Sequence, residues 1–346
     1  EELTTHLRVT TYLLAPRTGA AALAPDSGEP RLHPLAPSGA ASDFTREIAQ
    51  LPWSALLVDA GDLAVYCAPS EMMPHLHEEI GRLRELTSRA AGEGTGRARN
   101  LDAVDEHYEH LFLWNRRNEE VMGACRLGRV DEIRNRAGRR GLLSAMSFDY
   151  REPFFRLLGP ALELDNLFVR PEAQDSPAPL MLLWRGIGQY VARHPRYLRL
   201  LGTVRIGSDY CDLSRQLFVE YLHGQSLDVL LSPFVRSMNA VPRGRMAQSL
   251  AAEVAMLGHL DAVAALVEDI EADRKGVPAQ LRQYLRFGGR MLAYNTNPAV
   301  NAGIDCLFLI DLRQTDARVL RKYLPAPAVA RIAAMSLKFP GLRKAD

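Results

Sequence analysis

At 346 residues, with 47% hydrophobic and 24% charged side chains, the chain has enough apolar material for a large buried core and is long for one compact domain. Its 42 basic and 41 acidic residues leave a formal charge of +1, so no global field marks a nucleic-acid binder. No run approaches the roughly 20 apolar residues of a membrane-spanning helix, and Cys67, Cys125, Cys211 and Cys306 lie far apart without a CxxC pair, which fits reduced thiols in a cytoplasmic protein and suggests no metal.

In chain order, residues 1–16 read as one amphipathic helix and residues 17–43, rich in Pro, Gly, Ala and Ser, as a linker. Leu63 to Ala68 reads as a first strand. Pro74 opens a helix whose Leu76, Ile80, Leu83 and Leu86 recur at helical spacing. Gly92-Glu-Gly-Thr-Gly96 breaks that helix; lacking the Lys-Ser or Lys-Thr of a P-loop, it reads as a flexible lid over an acceptor site. His110 to Asn115 and Val121 to Leu127, joined by RRNEE, read as an antiparallel hairpin. Arg126 shares a strand face with Met122 and Ala124, and its guanidinium fork suits a carboxylate: Glu163, a substrate, or a surface partner.

Leu162 to Val191 organises the rest, as a strand, a proline-studded turn and a helix apolar on nearly every side. A strand running into a helix N-terminus binds anions, because the first helical N–H groups lack internal partners. Strand alternation puts Glu163 and Asp165 on one face and Leu164, Asn166 and Phe168 on the other. Either that acidic face is solvated, or the sheet splays beside it and Glu163 looks into a cleft. In the turn, Pro177 and Pro179 donate no N–H, which leaves the amides of Gln174, Asp175, Ser176, Ala178 and Leu180 for a phosphate, with Arg170 or Arg185 to offset Glu172 and Asp175.

Leu198 to Ile206 reads as the next strand, after which Asp209 and Tyr210 would stand at the mouth of such a cleft. Asp212 reads as the N-cap of SRQLFVEYL. Residues 224–258 read as an insertion and Asp261 to Asp273 as an amphipathic helix. A helix bearing Arg282 and Tyr284, strands at Arg290 to Tyr294 and Cys306 to Asp311, and a C-terminal helix and tail over 325–346 complete the reading.

The central block, the hairpin RNEEVMGACRLG and the closing GVPAQLRQYLRFGGRMLAYNTNPAVNAGIDCLFLIDL together resemble the GNAT acyltransferase superfamily. Within it they resemble the hemolysin-like branch, which includes ornithine-lipid N-acyltransferases and is related to acyl-homoserine-lactone synthases. The likeness runs from Leu51 to Leu324. It implies an α/β fold with a mixed, twisted sheet of about seven strands and helices on both faces, a domain over 44–324, and an upstream domain of which residues 1–43 would be the tail.

It also implies acyl transfer to the amine of a small amino-acid-type acceptor from a phosphopantetheine thioester, with acyl-ACP or acyl-CoA as co-substrate and no permanent cofactor. Glu163 would be the general base, Arg126 and Asp209 its companions, and Tyr210 the donor of a proton to the leaving thiolate. Phe168, Val169, Gln174, Asp175, Ser176, Ala178, Leu180 and Arg185 would hold the donor, amides near Leu167 to Val169 would face the oxyanion, and Arg282 and Tyr284 would meet acceptor or acyl chain. Asn166 stands where the branch carries Arg, which predicts an altered acceptor. An acetyl-CoA-dependent enzyme and a non-catalytic acyl- or partner-binding domain are the alternatives. Basic runs at Arg134 to Arg140 and Arg193 to Arg199 suit an acidic carrier protein or peripheral contact with anionic lipid.

Overall fold

The computed structural model describes residues 32–239, 258–296 and 303–338. The helix expected over 1–16, most of the linker and much of the insertion lie outside the described residues. The strands are β1 Leu56–Ala60, β2 Leu63–Pro69, β3 Glu109–Asn115, β4 Glu120–Arg129, β5 Phe148–Tyr150, β6 Leu162–Val169, β7 Arg199–Ile206, β8 Val235–Ser237, β9 Arg290–Thr296 and β10 Ile304–Asp311. Among the described residues the helices are α1 Ala41–Gln50, α2 Pro74–Ala90, α3 Val130–Ala137, α4 Glu152–Leu158, α5 Ala178–Arg193, α6 Asp212–Ser226, α7 Leu260–Ile270, α8 Ala279–Arg286, α9 Ala317–Tyr323 and α10 Ala326–Lys338.

Eight strands form one mixed sheet in the order β1-β2-β3-β4-β6-β7-β10-β9, while β5 and β8 pair separately. The edge strand β1 raises the count above the seven expected. Its central members, such as FLW in β3 and CLFLI in β10, are apolar without alternation because both faces are covered. On one face α5 sets Leu183, Trp184, Ile187 and Val191 into a cluster with Val65, Leu111 and Leu127. Leu76, Ile80 and Leu83 of α2 cover the other face against Phe112, Trp114 and Phe168. Asp212 is the first residue of α6 rather than its cap; Cys211 takes the cap position, and its N–H donates to Glu271 at 3.0 Å. Cys67, Cys125 and Cys306 are buried, Cys211 is exposed, and all four are free thiols.

The junction that positions the site lies between β6 and β7, which are parallel and joined through α5. They pair only at Leu162–Leu200, Glu163–Leu201 and Leu164–Gly202, and then part. On its other side β6 pairs with β4 through an irregularity: Arg126 faces Asp165 and Ala124 faces Phe168, so β6 holds one residue more than β4 over that stretch. Asn166 stands in this bulge with φ +47, the left-handed region that Asn tolerates better than most residues. The bulge breaks the expected alternation: Asn166 is exposed, not packed beside Leu164 and Phe168.

Helix α8 closes the parted strands on the α5 side. The Gln280 amide donates to the Leu167 carbonyl at the bulge. The Tyr284 ring meets Trp184 edge-on at 5.6 Å and lies over Gly202.

Candidate active site

On the face away from α5 the strands carry a row of charged side chains. Arg126, wholly buried on β4, forks onto Asp105 with Nε–Oδ1 2.5 Å and Nη2–Oδ2 2.6 Å, and it reaches Asp102 and Asp165 at 3.2 Å each. Burial alone would weaken the guanidinium's hold on its proton; Asp165 and Asp105 more than restore it. Of the partners expected for Arg126, Glu163 is not the one it binds. Arg84, equally buried, donates to the Asn100 carbonyl at 2.9 Å, and burial together with Arg126 brings it down to about 9.

His77, Asp105 and His110 converge here with ligand atoms within 4.8 Å of one another, a grouping that their sequence spacing does not announce. The donor types suit a metal; the charge does not. Asp105 already carries the Arg126 fork and has Arg84 at 3.8 Å, so a cation would sit against two guanidinium groups.

Glu163 lies at the closed end of the junction, where β6 and β7 still pair, and is 1% exposed. One oxygen accepts from the Ser144 N–H at 2.8 Å and the other from the Tyr108 hydroxyl, which itself accepts from the Leu143 N–H at 2.8 Å. Burial raises the Glu163 carboxyl above its ordinary range, against these hydrogen bonds.

Past the split, Arg205 of β7 holds Asp305 of β10 through 2.6 and 3.1 Å contacts, and its guanidinium stands 3.8 Å from Glu93. Glu93 comes from the glycine-rich loop after α2, and its carboxylate lies against Gly207 and Gly303, at the end of β7 and the start of β10. A Cβ at Gly207 would crowd it, whereas one at Gly303 would only touch it. Burial raises the Glu93 carboxyl to about 7, Arg205 opposing and Asp305 and Asp209 adding to the rise. The loop expected as a flexible lid is pinned by Glu85, whose carboxylate accepts from the Thr95 N–H, the Thr95 hydroxyl and the Gly96 N–H at 3.1, 2.7 and 3.0 Å. Sequence reasoning missed Glu93; its signal is a lone acid between glycines directly after a buried helix.

The turn between β6 and α5 begins with buried Phe168 and Val169, and Gln174 donates to the Val169 carbonyl at 2.8 Å. Asp175 and Ser176 are exposed, Leu180 is half-buried, and the Ala178 N–H donates to the Ser176 hydroxyl at 3.3 Å. Arg170 pairs with Glu172 at 3.3 Å and also binds Glu120. Arg185 instead donates to the Lys322 carbonyl at 3.2 Å. Beyond β7, Asp209 pairs with Lys275 at 2.9 Å, and the Tyr210 hydroxyl donates to the Gly276 carbonyl at 2.7 Å. Arg282 and Tyr284 part company: Tyr284 is buried at Gly202, whereas Arg282 pairs with Asp261 at 3.0 Å beside a recess of about 450 Å³.

Two curated proteins align with this chain, each named glycine N(alpha)-acyltransferase: one from Phocaeicola vulgatus, 31% identical over 182 residues, covering 49% of this chain and 56% of that protein, and one from Bacteroides thetaiotaomicron, 31% identical over 182 residues, covering 49% and 54%. The aligned segment thus spans about half the length of either relative. No helix among the described residues is long and apolar enough to cross a membrane. Residues 83–184, from α2 through the β4–β6 pair and its bulge into α5, match the family model described as Acetyltransferase (GNAT) domain.

Proposed function

We propose that this chain is an N-acyltransferase that moves an acyl group from a phosphopantetheine thioester to the amine of a small amino acid, glycine being the acceptor that its relatives' names give. The observation that carries the reading is the parting of β6 and β7 beyond Leu164 and Gly202, with a bulge on β6 immediately before the turn into α5. Parted strands leave backbone groups without ladder partners, and an extended amide-bearing arm such as phosphopantetheine can satisfy them. The first turn of α5 supplies N–H groups for a phosphate at its end, with Phe168, Val169 and Gln174 leading into it.

The chemistry needs no covalent intermediate on the protein. The acceptor nitrogen attacks the thioester carbonyl carbon, a C–N bond forms, the C–S bond breaks and the thiolate leaves as a thiol. A long-chain donor, on CoA or on an acyl carrier protein, follows from the resemblance to the hemolysin-like branch. Incubating the protein with palmitoyl-CoA or palmitoyl-ACP and glycine should yield N-palmitoylglycine by mass spectrometry and a matching release of thiol. Absence of acylated product from both donors, with glycine and with a panel of other small amino acids, sinks the reading.

A further inference from the structure

Resting on that reading, we propose that Glu93, rather than Glu163, takes the proton from the acceptor's ammonium group. Glu163 is enclosed where the strands still pair, and both its oxygens are held by the Ser144 N–H and the Tyr108 hydroxyl. A proton or an ammonium group would have to reach it through packed side chains, since Glu163 is 1% exposed. Asp165, the next carboxylate along β6, is tied to Arg126 at 3.2 Å.

Glu93 differs on each count. It stands over the C-terminal half of β7, past the point of parting, with its side chain 14% exposed. Among the described residues its nearest cation, Arg205, is 3.8 Å away, beyond hydrogen-bond reach, because that guanidinium turns its fork to Asp305. Among the described residues the charged groups around it are Arg205 on β7, Asp305 on β10, Asp209 after β7 with its partner Lys275, and Glu85 and Arg89 of α2 beside Gly94. Glu85 anchors the loop, so the carboxylate is carried on a fixed element. A carboxyl at about 7 matches what a general base needs near neutrality.

In the step itself one ammonium proton passes to the Glu93 carboxylate, and the freed lone pair forms the C–N bond. As the C–S bond breaks, the second nitrogen proton goes to the departing thiolate. Glu93 then returns its proton to solvent, so the balance is an amide, a thiol and one proton.

The test is thiol release from palmitoyl-CoA and glycine between about pH 5.5 and 10 for the wild type, Glu93→Gln, Glu93→Asp and Glu163→Gln, each checked for fold by circular dichroism. Wild-type kcat should rise through pH about 7, and Glu93→Gln should lose about 10²-fold or more of kcat with donor KM unchanged. That deficit should shrink at pH high enough to deprotonate glycine itself, which a structural role would not produce. Glu93→Asp should retain part of the rate, and Glu163→Gln should keep the acid limb. A Glu93→Gln rate within about threefold of the wild type, or an acid limb that vanishes in Glu163→Gln, overturns the assignment while leaving the acyltransferase reading standing. A wild type that releases no thiol overturns both.

Discussion

The hydroxyl of Tyr284 occupies the space that a Cβ on residue 202 would need, so α8 enters the parted strands only because β7 carries glycine there. Tyr284 is 2% exposed and packs on Trp184, so it cannot swing away without opening the core. Gly202→Ala is therefore expected to cost about 1–3 kcal/mol through overpacking. Tyr284→Phe removes the colliding oxygen, and the double variant should recover part of the loss. Denaturant midpoints of the two singles and the double measure the coupling; strictly additive losses would show that the two positions do not compete for this space.

Arg126 holds three carboxylates from inside the protein, two on the segment before β3 and one on β6. Removing it leaves Asp105, itself buried, without its fork. Arg126→Met should cost about 3–5 kcal/mol, the usual penalty for stripping one partner from a buried ionic group. Arg126→Lys should recover little, since an ammonium cannot reproduce the fork. Asp165→Asn, at the half-exposed end of the network, should cost less than half as much. Thermal melts order the three, and a well-tolerated lysine would overturn the dependence on the planar fork.

The hairpin around RRNEE and the strand-turn-helix block were legible because each states its own period. FLW and CLFLI are apolar without a break, and α5 follows its prolines directly. The register between β4 and β6 was not legible, because alternation assumes a regular strand and Asn166 adds a residue to one partner only. That single insertion exposes Asn166 and decides that Arg126 faces Asp165. Glu93, Arg205 and Asp305 meet through contacts a hundred or more residues apart in sequence, and no local spacing encodes such a meeting. The same holds for His77 and His110, whose rings lie 4.5 Å apart.

Glu93 makes stability depend on pH in a direction opposite to that of a salt-bridged acid. Its carboxyl is at about 7 in the folded chain against an ordinary 4.5, so the folded state binds the proton more tightly than the unfolded one. Its contribution is fully present below about pH 4.5 and is lost as pH rises through about 7. At about 1.4 kcal/mol per unit of pKa difference, the loss is of the order of 3 kcal/mol. Glu93→Gln lacks this titration, so its melting temperature relative to the wild type should climb between pH 5 and pH 8. A difference that stays flat across that range would mean that Glu93 titrates normally.

Glu163 has a structural duty that can be measured apart from turnover. Glu163→Ala leaves the Tyr108 hydroxyl and the Ser144 N–H without their acceptor in a dry interior. About 1–3 kcal/mol for each stranded donor is expected, on top of the cavity. Glu163→Gln keeps one acceptor oxygen and should lose roughly half as much. Unfolding curves that place the alanine variant within about 0.5 kcal/mol of the wild type would remove Glu163 from the supports of this junction.

Asn166 carries the bulge, and its backbone rather than its side chain is the constrained part. At φ +47 a glycine fits at little cost and an asparagine at modest cost. A β-branched residue there costs of the order of 1–3 kcal/mol. Asn166→Gly should therefore melt close to the wild type and keep acyl transfer, whereas Asn166→Val should either melt lower or flatten the bulge. Flattening would return β6 to regular alternation, move the Leu167 amide and reduce kcat more than it changes glycine KM. Asn166→Arg is the informative third variant: because the position is exposed, the charge meets no burial penalty, and the cost left is that of the left-handed backbone, about 1 kcal/mol. Improved acceptance of ornithine or another amino acid by that variant, read from product mass across an acceptor panel, would tie the residue to acceptor choice. If the valine variant matches the glycine variant in both melting temperature and kcat, the left-handed bulge is not what the site requires.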